Sequence, residues 1–271
     1  MRRHDRDRYQ TALFAPIARR EALFALYAFN YEIARVRESV SQPALGQIRL
    51  EWWRENIATA YGIGPVRRHP VVEALSRVIR QGWLTRADLD RLIDAREGDF
   101  DEGPLADLAA LVDYAEATSS RLIYLALEIL EVRGNAAAIA AARDVGIAFA
   151  ISGLLRALPM QMAGRHPIIP AAVAAGHGLN LADLALARNS SALPAAIAEI
   201  AATAKSHLQL ARAKRDAIPR AALPALLPGV IANRSLRRLE AAGHNPFAPV
   251  LGQPDPLQSW RLAAAMLRQR F

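Results

Sequence analysis

The sequence predicts an all-α protein, and three observations support this prediction. Alanine and leucine recur at helical spacing through most of the 271 residues, whereas the two-residue alternation of a half-buried strand is nearly absent. Hydrophobic residues make up 52% of the chain, which is enough to bury one large core. Clusters of turn residues separate the helical stretches. We therefore predict one domain, a helical bundle that spans residues 1–271.

The first half of the chain divides at turn signals. A Ser-Gln-Pro turn at 41–43, a Gly-Ile-Gly-Pro turn at 62–65 and the segment 98–104 end successive helical patterns. Thr85 and Asp88 have the spacing of a capping box, in which the hydroxyl and the later acid bond to free amides at a helix start. The predicted helices are 19–40, 43–60, 70–81 and 85–96.

The second half contains the longest helical patterns. The predicted helices are 105–132, 136–158, 191–215, 221–241 and 257–269. A tight Gly134-Asn135 turn joins the first two, which predicts an antiparallel pair beside a central space in the bundle. The segments 159–170 and 243–256 are rich in proline and glycine and are predicted to be loops. The last helix carries Trp260 and several arginines, so it either docks onto the bundle or lies on a membrane surface.

The charge of the chain favours anionic partners. The net charge is +8, from 34 basic and 26 acidic residues, and Lys205 and Lys214 are the only lysines. Such a balance suits phospholipid surfaces, diphosphates or nucleic acids, or it reflects a genome biased toward alanine and arginine codons. The arginines are scattered along the chain instead of forming one basic tail, which argues against a nucleic-acid partner.

Several classes of site are excluded by composition and spacing. The chain has no cysteine, so disulfides and thiolate metal sites are excluded. No two of its six histidines have the i, i+4 spacing that would place both on one helix face for a metal. The sequence has no glycine-rich dinucleotide loop and no nucleophile elbow. Hydrolase and oxidoreductase chemistry therefore find no support.

The expected location follows from the N-terminus and from hydropathy. Residues 1–10 alternate in charge and include Asp5 and Asp7, unlike a secretory signal or a mitochondrial presequence. No uncharged segment reaches the roughly 20 apolar residues that span a bilayer. We expect a cytoplasmic protein, or a matrix protein if the source is organellar, with at most peripheral contact with the inner membrane.

Six stretches, in the correct order, resemble motifs of squalene and phytoene synthases. They include Tyr27 with its surrounding apolar residues, the Trp52-Trp53 pair, and a helix that ends in Leu154-Leu155-Arg156. The stretches are 22–29, 51–61, 68–71, 92–99, 113–120 and 146–156, followed by Gly164-Arg165 and Pro170. The resemblance is clearest over residues 7–170, and it implies the all-α isoprenoid (terpenoid) synthase fold around a central cavity.

The resemblance also implies what has been lost. In catalytic members, two aspartate clusters on facing helices hold the magnesium ions that bind the prenyl diphosphate. This chain has Ala34, Arg35 and Glu38 at the first cluster, and Ala157, Met160 and Gln161 at the second. Magnesium requires hard oxygen ligands, which alanine, methionine and arginine cannot supply. Since 34 and 38, like 157 and 161, are spaced to share a helix face, we expect both faces to point inward without their ligands.

The replacements resemble the non-catalytic branch that includes mitochondrial complex I assembly factors. That resemblance implies an assembly factor for respiratory NADH dehydrogenase, with respiratory subunits and the membrane surface as partners and no catalytic residue, metal or cofactor. An isoprenoid or phospholipid ligand is a further expectation. The degenerate diphosphate-pocket residues are Tyr27, Arg35, Glu38, Arg156 and Arg165, and the arginines either face an anionic head group or pair with nearby glutamates.

An active prenyl transferase that condenses prenyl diphosphates remains the alternative. It would use magnesium and acids outside the expected helices. Asp94, Asp99 and Asp101 are the candidates because they cluster ahead of the central helix. The competing interpretation gives these three aspartates a solvent-facing role in a glycine-rich turn.

Overall fold

The computed structural model describes residues 3–62, 64–101, 103–161, 169–181 and 190–271, and the described part of the chain contains helices and no strand. The all-α prediction is therefore confirmed. The first seven helices are α1 Arg6–Ala12, α2 Ile17–Ala34, α3 Pro43–Tyr61, α4 Pro70–Arg80, α5 Arg86–Glu97, α6 Leu108–Ala115 and α7 Arg121–Ile129. The next seven are α8 Ala136–Gln161, α9 Ala171–Gly176, α10 Ala192–Ala213, α11 Leu223–Leu226, α12 Pro228–Ala241, α13 Pro249–Gly252 and α14 Gln258–Leu267.

The N-terminal region differs from the prediction. The charged segment before residue 19 forms α1, whose first turn is capped by the Asp5 side chain accepting from the amide of Arg8 at 3.0 Å. Helix α2 ends at Ala34, six residues before the predicted end, and Arg37–Ser39 form a short 3-10 turn. Positions 34 and 38 therefore do not share one helix face, and that prediction was wrong.

The predicted helix 105–132 is interrupted. Glu116–Ser120 form a π-helical turn between α6 and α7. Gly146 of α8 packs against this turn, and a β carbon there would lie 2.4 Å from the α carbon of Ser120. The small residues in the turn and in α8 thus allow two helices to approach closely, and the π turn is the local adjustment that accompanies this contact.

The capping box predicted at Thr85 does not form. Thr85 is the N-cap of α5, but its side chain makes no capping hydrogen bond. Its hydroxyl instead donates to Glu128 at 2.7 Å. Asp88 is buried and accepts from Arg121 at 2.9 Å and from Arg133 at 2.8 Å. Tertiary ion pairs with α7 and the following turn therefore replace the local capping interaction.

Helix α8 is the centre of the bundle. It packs against α6, α7, α10 and α12. By length and composition, Ala136–Met160 could cross a membrane, since its most apolar stretch of 18 residues has a mean hydropathy of 1.6. However, 61% of that stretch is buried inside the protein. That burial is typical of a core helix. Apolar side chains form two clusters, one around α2–α5 and α7 and the other around α8, α10 and α12.

Candidate functional site

The helices with the degenerate motifs, α2 and α8, are bridged by α1. The ring of Tyr9 stacks on Phe24 of α2 with centroids 5.2 Å apart. The guanidinium of Arg8 lies 4.9 Å from the ring centroid of Phe149 in α8. Asp7 accepts a hydrogen bond from Arg156 of α8 at 3.2 Å. The sequence analysis missed this arrangement because α1 is a short helix of mainly polar residues without an apolar stripe of its own.

Tyr27 lies beneath α1 and is only 3% exposed. Burial raises the pKa of its hydroxyl; the charge of Arg8 acts in the opposite direction, and that of Asp5 adds to the rise. The hydroxyl therefore remains protonated at physiological pH. Of the residues predicted to form a pocket, Tyr27 and Arg156 are both placed next to α1.

The residues at the C-terminal end of α2, where the first motif lies, face the solvent. Ala34, the last residue of α2, is half-buried, whereas Arg35 and Glu38 are exposed. The guanidinium of Arg35 lies 5.4 Å from the ring centroid of Tyr31. Arg35 also lines an open recess of about 490 Å³. The other lining residues are Glu32, Val36, Ser39, Arg49, Trp52, Trp53 and His69. The expectation that positions 34 and 38 point inward was wrong for Glu38, which is exposed.

The second motif region continues α8 through Pro159 to Gln161. Ala157 is half-buried and Met160 is 83% exposed, so neither contributes a polar group to an enclosed site. Arg156 is exposed apart from its contact with Asp7. Arg165 and the side chain of Gln161 lie outside the described residues. The four predicted pocket residues that the structure describes are thus not gathered in one place, because Arg35 and Arg156 line different recesses.

A cleft of about 260 Å³ opens beside Arg156, between α1, α8, α12 and α14. Its apolar wall includes Leu155 and Leu239. Its cationic lining consists of Arg6, Arg156, Arg234, Arg238 and Arg261. Asp255 accepts from Arg261 at 3.1 Å and lies 3.6 Å from Arg234. Sequence reasoning missed the residues from α12 and α14 because the motif resemblance ends near residue 170.

The positive charge of this cleft is partly balanced by the carboxylate of Asp255. Asp255 is largely desolvated, which would raise the pKa of its carboxyl, but a backbone hydrogen bond from Leu257 and the charges of Arg261 and Arg234 outweigh this effect and lower it. The carboxylate therefore stays ionised and occupies two of the arginines. The apolar wall and the remaining cations suit a small amphiphile with an anionic group.

The described residues do not fit the magnesium of catalytic relatives. Among the six motif positions, only Glu38 carries a carboxylate, and it is exposed. The alternative acids have other partners: Asp94 pairs with Arg54 at 2.5 Å, and Asp99 accepts from the Tyr114 hydroxyl at 2.7 Å. Asp101 is exposed. Within the described ranges, no three His, Cys, Asp or Glu side chains converge to hold a metal.

Comparison with known proteins extends the resemblance over the whole chain. The family model for squalene/phytoene synthase matches residues 1–268. A human protein named NADH dehydrogenase (ubiquinone) complex I, assembly factor 6 is 32% identical over 96% of this chain and 80% of its own length. The Dictyostelium discoideum homolog of that assembly factor is 32% identical over 93% of this chain and 71% of its own. A presqualene diphosphate synthase of Rhodopseudomonas palustris is 26% identical over 78% of this chain and 75% of its own.

Solved structures share the fold. A squalene synthase from Alicyclobacillus acidocaldarius superposes with a TM-score of 0.79 at 20% identity, covering 91% of this chain and 92% of that one. A dehydrosqualene synthase bound to a ligand superposes with a TM-score of 0.83 at 15% identity, covering 98% of this chain and 92% of that one. Together with the match over nearly the full length of the sequence, these similarities establish that the chain belongs to the squalene/phytoene synthase family.

Proposed function

We propose that this chain is a non-catalytic assembly factor for the respiratory NADH dehydrogenase, complex I. The observation that carries the proposal is the similarity to proteins named as complex I assembly factors, at 32% identity over 96% of the chain. The relative named as a presqualene diphosphate synthase is less similar, with 26% identity over 78% of the chain. Under this proposal the chain acts in the cytoplasm, or in the matrix of an organelle, and contacts subunits of the respiratory complex.

The chemistry of the motif positions supports the non-catalytic part of the proposal. Ionisation of a prenyl diphosphate requires stabilisation of the charge that develops on the leaving group. The described motif residues provide one exposed carboxylate, Glu38, while Arg156 is paired with Asp7. Such a site lacks the ligands for a metal clamp.

Deletion of the gene in its source organism tests the assembly role. We expect a loss of NADH dehydrogenase activity and of the fully assembled complex on native gels, with carotenoid and hopanoid content unchanged. Re-expression of the wild-type chain should restore the complex. Normal complex I in the deletion strain would overturn the proposal, and so would a loss of carotenoid or hopanoid instead.

A second experiment tests the competing prenyl-transferase function directly. The purified chain is incubated with magnesium and either farnesyl or geranylgeranyl diphosphate, with an active dehydrosqualene synthase as the positive control. We expect no condensation product. Product formation above the level without enzyme would show that acids outside the motif positions carry catalysis, and it would overturn the non-catalytic assignment.

Ligand binding is a second candidate function, and the cleft beside Arg156 favours it. Its volume of about 260 Å³ is slightly below the roughly 300–1,000 Å³ of ordinary ligand pockets. We propose that it binds the head group and a short part of the chain of an isoprenoid or phospholipid. Native mass spectrometry with lipid extraction should find a bound amphiphile in the wild type. Ser235→Trp, which narrows the cleft, should lose it, whereas Ala202→Trp on the exposed surface of α10 should retain it.

A further inference from the structure

A second cationic region lies on the outer side of α12 and α14, away from the motif helices. Two adjoining recesses of about 450 and 280 Å³ share Arg212, Asn233, Arg237, Arg270 and Phe271 in their lining. The larger one is also lined by Leu257, Trp260 and Arg268. We call this region the arginine recess, consisting of Arg212, Arg237, Arg268 and Arg270 with Leu257 and Trp260 at its rim.

The four arginines of the recess have no acidic side chain as a partner. Within the described part of the chain, none of them has an Asp or Glu carboxylate oxygen within 4.0 Å. The nearby acids are occupied by other cations. Asp255 binds Arg234 and Arg261, Asp216 binds Arg215 at 3.3 Å, and Glu240 binds Lys205 at 2.7 Å. The recess therefore presents excess positive charge that an external anion could balance.

Arg212 is held in place by two hydrogen bonds. Its Nε donates to the main-chain oxygen of Phe271 at 2.7 Å, and one of its terminal nitrogens donates to Oδ1 of Asn233 at 3.4 Å. Burial lowers the pKa of this guanidinium, and the like charge of Arg237 lowers it further. An anion placed between Arg212 and Arg237 would relieve this repulsion and accept charge-assisted hydrogen bonds from both.

Exposed apolar side chains lie beside this charge. Trp260 is 75% exposed, Leu257 51% and Leu267 78%. The opposite side of α14 is buried through Leu262 and Ala265, so the helix is docked onto the bundle and still presents a second face outward. Tryptophan and leucine next to arginine are typical of a helix that lies in the headgroup region of a membrane.

We propose that the arginine recess docks the protein peripherally on a bilayer of anionic phospholipids. The arginines bind lipid phosphates, and Trp260 and Leu257 enter the headgroup region. A nucleic acid is less well matched. Proteins that bind single-stranded nucleic acids stack the bases on several aromatic side chains along a basic groove, whereas the rim of this recess has one aromatic side chain, Trp260. The inference does not rest on the assembly role, since membrane binding and complex I assembly are measured separately.

Vesicle sedimentation tests the proposal on the full chain. The probes are vesicles of phosphatidylcholine alone and of phosphatidylcholine mixed with phosphatidylglycerol. The triple variant Arg237→Gln/Arg268→Gln/Arg270→Gln removes three exposed cations from the recess. Its control is Arg77→Gln/Arg86→Gln/Arg91→Gln, which removes three exposed cations from α4 and α5. Since each arginine near an anionic surface contributes a substantial part of binding, the recess variant should bind the mixed vesicles at least about tenfold more weakly.

The results separate this surface from general electrostatic attraction. We expect the wild type and the α4–α5 control to bind only the mixed vesicles, and Trp260→Ser to bind more weakly than the wild type. Equal weakening of both triple variants would show that net charge alone is responsible and would overturn the proposal. Absence of wild-type binding to the mixed vesicles would overturn it as well, as would sedimentation of the recess variant at wild-type affinity.

Discussion

Gly146 in α8 lies directly against Ser120 in the π-helical turn, so that a β carbon at 146 would come within 2.4 Å of the Ser120 α carbon and of its hydroxyl oxygen. The same hydroxyl donates to the carbonyl of Arg143 at 2.6 Å. Backbone rather than a flexible side chain therefore limits the space at this position. The contact fixes α8 against the turn between α6 and α7. It thus also sets the position of Arg156, which lies nearer the C-terminal end of α8.

Gly146→Ala should destabilise the protein. The added methyl group would collide with backbone that is held on both sides, and such overpacking costs about 1–3 kcal/mol in the free energy of unfolding. Urea denaturation followed by circular dichroism measures the change. Gly153→Ala in the same helix is the matched control, because a β carbon there has no neighbour within 4 Å. The control should be neutral or stabilising by up to about 1 kcal/mol, and equal loss in both variants would contradict the packing explanation.

Asp88→Asn should also lower stability. The Asp88 side chain is 2% exposed and binds both Arg121 and Arg133. The amide would leave the partly buried guanidinium of Arg121 without its carboxylate, whereas Arg133 would keep its pair with Glu128. We expect a loss of about 2–3 kcal/mol in the free energy of unfolding. Asp90→Asn, two residues away, removes only a surface pair with Arg86 and should cost less than about 0.5 kcal/mol. A change below 1 kcal/mol at Asp88 would show that its ion pairs contribute little.

The sequence was sufficient to predict elements whose signals are local. The proline at the start of α3 and of α4 and the helical spacing of alanine in α10 mark helices that the structure confirms. The end of α2 could not be predicted in this way. Residues 35–40 continue a helical pattern, yet the chain leaves the helix after Ala34, where Arg35 stacks over Tyr31 and Ser39 receives a hydrogen bond from Arg49. These tertiary contacts have no signature in the local sequence.

The candidate site was predicted less completely than the fold. The family resemblance identified Tyr27 and Arg156, but it could not show that Asp7, far away in sequence, pairs with Arg156. Contacts between residues so distant depend on how the helices pack. The cationic cleft was missed for the same reason, since α12 and α14 contribute three of its five arginines. For the last helix, the sequence offered a membrane surface as one alternative, but it could not show that Arg212 and Arg237 line the same recess as Arg268 and Arg270.

The stability of the chain should fall in acid partly because of Asp144. Burial would raise the pKa of this carboxyl, but hydrogen bonds from His207 at 2.9 Å and Lys214 at 3.0 Å outweigh that effect and lower it. A carboxyl whose pKa is lowered by folding stabilises the native state above the unfolded value of about 3.9, and this contribution is lost as the pH falls through the lower folded value.

Asp144→Asn should therefore show a weaker dependence of unfolding free energy on pH below about pH 4, together with lower stability at neutral pH. Thermal unfolding across a pH series measures both effects. Asp216→Asn is the control, because Asp216 is 91% exposed and its ion pair is a surface contact with its neighbour Arg215. If the two variants gave the same acid profile, the lowered pKa of Asp144 would not be contributing to acid sensitivity.

Truncation of Tyr9 should loosen α1 from the motif helices. The ring of Tyr9 stacks on Phe24, while the neighbouring Arg8 covers Phe149 and Asp7 pairs with Arg156. Tyr9→Ala removes the aromatic contact, so α1 should open more often without global unfolding. Trypsin under native conditions reports this opening, since it cleaves after Arg6 and Arg8 only when the helix is released. We expect cleavage at these two sites to accelerate several-fold.

Tyr9→Phe separates the aromatic contact from the loss of a hydroxyl. It keeps the stacked ring and should be cleaved at the wild-type rate, because the stack depends on the ring faces and not on the oxygen. If Tyr9→Ala were also cleaved at the wild-type rate, the stack would not be what holds α1, and the ion pair between Asp7 and Arg156 would have to suffice. If Tyr9→Ala released α1 without global unfolding, α1 would be a separable cover over Tyr27. The burial of Tyr27 would then depend on the aromatic contact between Tyr9 and Phe24.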